Sequence, residues 1–427
     1  MSRSVALPDR IVLPWASDGA ASRVVAALGA GGATVRYVGG CVRDAILGLV
    51  PADIDIATPE PPETVMERLA AAGIKVVPTG LAHGTVTAVA DRRPFEVTTL
   101  REDVETDGRH ALVAYTGDWR ADAARRDFTM NAIYADPDGS LFDPVGGRAD
   151  LAAGRVRFVG DAGERIAEDY LRVLRFFRFH ARFGKGPPEA AALDACRAAT
   201  GGLSRLSVER VAAETLKLLA LDAPLKGLEP MAECGVLAAL LPEAVDFARL
   251  AGLVRIEADL FRADAVRRLG ALLADAAAAE AVGTRLKLSN ADRARLVAMH
   301  GIVPAIAPDM AVRTMRRWLH AVGRETFCDL VLLRWAADPE RGNDVAWRPA
   351  LAIAESWTPQ RLPLNGQDLI AVGVAPGAEM GRRLADMEAW WVNEDFRPGR
   401  AACLAELRRR LSAGGGEDGP GGEEGPR

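Results

Sequence analysis

Hydrophobic positions along the chain change their period near residue 160, and the change separates two kinds of structure. Before it, apolar and polar residues alternate in short runs: TVRYVGG ending at Gly40, DIDIAT at 53–58, GTVTAVAD at 84–91 and RPFEVTTLR at 93–101. Each fits the period-2 pattern of a half-buried strand. Residues 22–31 and 41–50 read as short helices, the second stopped by Pro51, and PEPPETVMERLAAAG as a helix introduced by prolines. The first ~140 residues therefore predict an α+β unit around a mixed or antiparallel sheet. Beyond residue 160 the apolar residues recur at helical spacing, which predicts a mostly α-helical remainder with breaks at 184–189, 222–227, 302–309 and 358–366.

Composition is that of a folded globular chain, with 49% hydrophobic and 26% charged residues. The net charge of −5 argues against a generally basic nucleic-acid binder. Residues 412–427 contribute −3 of it, however, and their Gly/Glu composition predicts disorder. The body is nearly neutral, which leaves room for a local basic face. Five widely spaced cysteines without a CxxC pair suggest neither disulfides nor zinc and fit a reducing compartment. With no signal pattern and no apolar run of the ~18 residues a bilayer requires, the expected location is the cytoplasm, away from membranes.

Four segments carry candidate chemistry. In DIDIAT, Asp53 and Asp55 stand two apart on a predicted strand, so both carboxylates face one side and can offer hard oxygen ligands to Mg²⁺. A solvated strand edge would look the same. Upstream, Gly39 and Gly40 open a helix bearing Arg43 and Asp44, an arrangement that suits a phosphate at a helix start but also an ordinary tight turn. In RRDFTMNAIYAD, Arg126 could meet phosphate and Asp127 a ribose hydroxyl; the triplet could equally head a helix as a plain cap. In residues 164–183, Asp169, Arg172, Arg175, Arg178 and Arg182 recur every three or four residues and would form one helical stripe. An acid followed by aligned arginines suits a ligand face, with Asp169 and Arg172 on a base edge and Arg175 and Arg178 on phosphate; a salt-bridged surface helix is the alternative. Glu96 is a candidate third carboxylate, and the charged run between Leu100 and Trp119 reads as a mobile loop.

In this order, VGGCVRDAILG, DIDIAT, RRDFTMNAIYAD and EDYLRVLRFFRF resemble the class II tRNA nucleotidyltransferase and bacterial poly(A) polymerase family of the DNA polymerase β superfamily. The resemblance is strong over residues ~35 to 180. It implies a polymerase-β-like head (1–150), then an all-α neck (151–220), body (221–330) and tail (331–411), with 412–427 disordered. It also implies template-independent addition of CCA to tRNA 3′ ends from CTP and ATP. By motif, Asp53 and Asp55 would hold Mg²⁺, Gly39, Gly40 and Arg43 would bind triphosphate, and Arg126 and Asp127 phosphate and ribose. Asp169 with Arg172 would read the base, and Arg175 and Arg178 would complete the site. Arg313, Arg316 and Arg317, on one predicted helical face, are candidate RNA contacts. Six of eight tryptophans fall between Trp318 and Trp391, where core packing is the favoured role. A poly(A) polymerase would share every motif, but the acidic terminus favours CCA addition. An inactive RNA-binding protein is disfavoured by the intact aspartate pair. No histidine is followed by Asp, so no HD-type phosphohydrolase activity is expected, and DNA is not an expected partner.

Overall fold

The computed structural model describes residues 8–106, 111–260, 262–301, 306–338 and 344–414. Its N-terminal region is built on a seven-stranded mixed sheet. The strands are β1 (Arg36–Val38), β2 (Asp55–Thr58), β3 (Lys75–Gly80), β4 (Thr85–Ala90), β5 (Arg93–Thr99), β8 (Tyr134–Ala135) and β9 (Leu141–Phe142), in the order β3-β4-β5-β2-β1-β8-β9. Only β2 and β5 run parallel, with Asp55 opposite Glu96; the remaining pairs are antiparallel. β4 and β5 meet through a two-residue turn at Asp91 and Arg92, both with the positive φ that a tight hairpin demands.

Three helices accompany the first strands: α1 (Gly19–Leu28), capped by the Asp18 side chain, α2 (Gly40–Ile46), and α3 (Pro62–Ala71), whose proline occupies the first turn, where no N–H is needed. The strand β3 escaped the sequence reading because Pro78 interrupts it. It lies at the sheet edge, the place where a missing N–H is tolerated. The run expected to be a mobile loop is instead a separate hairpin of β6 (Arg101–Thr106) and β7 (Ala111–Tyr115); its residues 107–110 lie outside the described residues.

Helices α4 (Trp119–Ala124), α5 (Gly147–Ala153), α6 (Ala162–Glu168), α7 (Leu171–Phe183), α8 (Ala190–Ala198) and α9 (Val208–Leu219) follow, and beyond α5 the described chain is helical. The single helix expected over 164–183 is two, because Asp169 adopts an extended conformation (φ −153°, ψ 103°) between α6 and α7. Phe128 packs against Phe158 and Phe179 at ring distances of 5.0 and 5.1 Å, and Phe158 stacks on Phe176 at 5.5 Å. These rings bury α7 against the RRD segment, each contributing about 1.5–3 kcal/mol.

The chain divides into two compact units, residues 1–247 with 257–293, and 248–256 with 294–427. In the second, a helix spanning Val312–Ala336 is kinked at Gly323 and pairs with Asp344–Ser356. A separate core forms around Leu369, Met387, Trp391, Cys403 and Leu407. Trp335, Trp347 and Trp391 are buried and Trp318, Trp357 and Trp390 half-buried, so these tryptophans mainly pack. The final helix runs to Gly414, past the expected start of disorder at 412, and residues 415–427 lie outside the described residues. Among the described residues no helix is long and apolar enough to cross a membrane.

Candidate active site

The carboxylates of DIDIAT sit where β2 begins. Asp53 lies in the bend before the strand rather than on it, and is exposed; Asp55 is the first strand residue and half-buried. Ile54 and Ile56 are buried, which fixes the facing of the intervening acids. Glu96, also exposed, is the register partner of Asp55 on β5. Burial raises the Asp55 carboxyl, the Glu96 charge raises it further, Arg126 relieves part of this and Asp53 adds to it; the result is a pKa pushed up to about 6. Among the described residues no three carboxylate, imidazole or thiol groups converge as a ready-made metal cage.

The glycine turn is joined directly to this acidic corner. The Cys41 thiol donates to the Val38 carbonyl at 3.3 Å and to the Asp55 carbonyl at 3.7 Å, so the start of α2 is tied to the start of β2. Gly39 caps α2 with φ 75° and ψ −127°, a backbone that a side chain would strain. Arg43, expected to reach outward, is buried. It donates through Nε and Nη2 to Asp44 at 2.8 and 2.7 Å and through Nη1 to Asn131 at 2.6 Å, and lies over the rings of Phe179 and Phe183. Two of its five N–H groups remain without such a bond.

The RRD triplet heads no helix; it follows α4 and leads into a short 3-10 turn at Thr129–Asn131. Asp122, almost fully buried, organises it by accepting from Arg125 (2.6 Å), Arg126 (2.9 Å) and the Tyr134 hydroxyl (2.6 Å). Burial opposes its ionisation, but Arg126 and Arg125 outweigh this and hold the Asp122 carboxyl down to about 2. Asp127 accepts four bonds: from Phe128 N (2.8 Å) and Asn131 Nδ2 (3.0 Å) on Oδ1, and from Arg175 Nε (2.8 Å) and Nη2 (2.5 Å) on Oδ2. Burial would raise this carboxyl, yet Arg175 and the hydrogen bonds keep it below the usual carboxylate range.

The arginine stripe on α7 is brought to this region, but not as an open cationic face. Arg175 pairs with Asp127, Arg178 with Glu214 on α9 at 2.6 Å, and Arg182 with Asp44 at 3.4 Å. Arg172 binds Glu168 (2.5 Å) and the carbonyls of Arg165 (2.7 Å) and Arg125 (3.2 Å). Asp169 pairs not with Arg172 but with Arg210 of α9 at 2.7 Å. Within the stripe, Arg175 and Arg182 thus reach the RRD segment and α2, and every member is salt-bridged. The sequence reading missed Asn131, which links Arg43 to Asp127, and Asp122, Glu168, Arg210 and Glu214. The i,i+4 spacing of Asp122 to Arg126 and of Glu168 to Arg172 was the available signal. In the second unit, Arg316 pairs with Asp395 at 3.0 Å and Arg317 donates to the Asn393 carbonyl at 3.1 Å, so of the three expected RNA contacts only Arg313 is exposed without an ion pair among the described residues.

Residues 35–157 match the family model of the poly A polymerase head domain, and 188–247 match that of a probable RNA and SrmB-binding site of polymerase A. The mitochondrial CCA tRNA nucleotidyltransferase 1 of Danio rerio is 33% identical over 387 residues, 87% of this chain and 86% of the relative. The CCA-adding enzyme of Levilactobacillus brevis is 32% identical over 82% of this chain and 88% of its own. The solved structure of the Bacillus stearothermophilus CCA-adding enzyme in complex with CTP superposes with a TM-score of 0.75 at 28% identity, covering 93% of this chain and 98% of that one. With the acidic strand start, glycine-opened helix and RRD segment in one head, this extent of likeness means that the chain belongs to the CCA tRNA nucleotidyltransferase family.

Proposed function

We propose that the chain adds C, C and A to tRNA 3′ ends from CTP and ATP without a nucleic-acid template, and that Asp53 and Asp55 are its metal-holding catalytic carboxylates. The observation that carries the assignment is the pair of carboxylates Asp53 and Asp55 at the start of β2, which among the described residues have no side-chain hydrogen bond or ion pair, directly beside the Gly39–Gly40 helix start and with Glu96 as the register partner of Asp55. Such a donor set suits Mg²⁺, which binds through one or two carboxylates and completes its shell with water and substrate phosphate. Bound at Asp53 and Asp55, the ion would acidify the attacking 3′-hydroxyl and neutralise the departing pyrophosphate. Family membership supports a divalent ion of this kind, and full-length relatives that are CCA-adding enzymes favour CCA over a homopolymer of A.

The chain's own residues do the positioning. Gly40 and the first turn of α2 present backbone N–H groups to the triphosphate, Arg43 adds its two unused donors, and Arg126 lends charge beside Asp55. Asp127 has filled its roughly four acceptor sites. It receives the ribose hydroxyl when Arg175 turns from it towards phosphate, and Arg178 closes the same side. Asp169 and Arg172 read the base edge by exchanging Arg210 and Glu168 for it. The head, neck, body and tail division and a reducing, cytoplasmic setting belong to the same proposal; among the described residues no cysteine is in a disulfide.

Incubation with Mg²⁺ and a tRNA lacking its CCA end is the direct test. CTP alone should extend it by two nucleotides, and CTP with ATP by three. A long A tract on unrelated RNA would replace this reading with poly(A) addition. A second expectation follows from Asp55. At subsaturating Mg²⁺ the rate should fall with acidification below about pH 6, where an ordinary carboxylate would hold until about 4, because proton and ion compete for one group. Rate–pH profiles at several Mg²⁺ concentrations check this: the inflection should move down as Mg²⁺ rises, and an inflection indifferent to Mg²⁺ would dissociate Asp55 from the metal.

A further inference from the structure

The second unit contains a cavity of about 360 Å³ lined by Arg316, Ser356, Trp357, Gln360, Asp395 and Phe396 among others. It is formed by the helix Val312–Ala336, the end of the helix Asp344–Ser356 with the segment after it, and the turn after the helix Ala378–Asn393. Its chemistry differs from the packed core around it. Trp357 and Phe396 meet edge to face, ring centres 5.4 Å apart and planes at 63°, which makes a corner rather than a closed stack. Phe396 is hemmed in further by Trp391 and His320, whereas Phe396 is the only ring that Trp357 touches among the described residues. Asp395 accepts through Oδ2 from Arg316 at 3.0 Å and pairs there with Arg397 at 3.7 Å, while its buried Oδ1 has no hydrogen-bond partner.

The turn that carries these groups is held in an unusual conformation. Asp395 and Phe396 are consecutive non-glycine residues with φ of 56° and 63°. A left-handed backbone is uncommon for Phe, and strain of this kind persists where the surroundings enforce it, often at ligand sites. Arg316 lines the pocket, and three further arginines adjoin its lining residues in sequence: Arg313 one helical turn before Arg316, Arg361 next to Gln360, and Arg397 next to Phe396. Arg313 and Arg361 are exposed and carry no ion pair among the described residues. An aromatic platform, an unfilled acceptor and arginines adjoining the lining residues in sequence together fit a nucleotide: base on the ring, base N–H to the carboxylate, phosphates on the guanidiniums.

We propose that this pocket holds an unstacked base of the RNA substrate on Trp357, with its N–H edge towards Asp395 and the flanking phosphates on Arg313 and Arg361. The proposal rests on the RNA-extending function above and gives the second unit a base-specific grip on RNA, separate from the residues that carry the chemistry. An RNA loop supplies the required base, since unpaired bases can leave their stack.

Steady-state kinetics on folded tRNA lacking CCA, with chemical probing of the bound RNA at nucleotide resolution, provide the test. Trp357→Ala should raise KM for tRNA about tenfold with kcat little changed, the loss of roughly one base stack. It should also expose one unpaired base that the unaltered protein protects, and Trp357→Phe should restore both. Asp395→Asn, which tolerates the same backbone, should weaken protection of that base without altering kcat. Unchanged KM and protection in Trp357→Ala, with its circular dichroism intact, would overturn the proposal, as would Trp357-dependent binding of free nucleoside monophosphates with unchanged KM for tRNA. If the unaltered protein fails to extend tRNA at all, it is the functional reading that has failed.

Discussion

Replacing Asp53 and Asp55 together by alanine should lower nucleotide addition by at least about a thousandfold, yet leave the fold no less stable. The first half follows from magnitude: removing the ligands that concentrate metal charge on the reacting phosphate forfeits several kcal/mol, and roughly 4 kcal/mol is a factor of about a thousand. The second half follows from sign. Asp53 is exposed, and Asp55 has a folded-state pKa of about 6, above the unfolded value near 3.8. Its ionised form is therefore disfavoured by folding, a penalty absent below the unfolded pKa and complete above about 6. At neutral pH alanine removes that penalty. An assay of CMP and AMP incorporation beside a thermal melt decides the matter: activity lost with an unchanged or higher Tm supports a site that keeps a partly buried carboxylate for a cation at a cost in stability. A Tm that drops with the activity would mean that Asp55 is structural, and retained activity would move the chemistry elsewhere.

The acidic strand start was legible in DIDIAT, because an acid between two buried isoleucines, with another acid just before them, already violates what a strand would choose for stability alone. The strands with clean alternation, β4 and β5, were equally legible, as was the α2 start, where paired glycines follow a β-rich run. The break between α6 and α7 was not. The spacing of Asp169 to Arg172 continues the helical period, and neither Gly nor Pro marks Asp169; in the structure its Oδ1 accepts from Leu171 N at 3.1 Å at the start of α7 and its Oδ2 from the tertiary partner Arg210. The same limit explains the arginine stripe. Periodicity reports which residues share a face but not what meets that face, and Arg182 finds Asp44 across 138 residues of sequence. Two-residue strands such as β8 are below the length at which alternation exists.

The consequence for ionic groups is sharpest away from the active site. Glu257 is almost fully buried and accepts from Arg267 at 2.7 Å and from Arg268 at 2.6 Å; Arg268 also donates to the carbonyls of Leu219, at 2.7 Å, and Leu221 at the end of α9. Glu257→Ala should destabilise the protein by about 3–5 kcal/mol, since two buried guanidiniums lose their shared counter-charge while their desolvation remains. Glu257→Gln keeps an acceptor but not the charge, and should cost less. Arg268→Met should cost more than the loss of one ion pair, because the carbonyls of Leu219, the last residue of α9, and of Leu221 just beyond it would be left without this donor, each worth about 1–3 kcal/mol when buried. Urea unfolding of the first unit's transition, with the slope unchanged, reads these differences as midpoint shifts. A shift below about 1 kcal/mol for Glu257→Ala would mean that water reaches the cluster and that its charges behave as a surface network. The expected ranking, with Arg268 above Glu257→Gln, separates a cation that holds a helix end from one that merely balances charge.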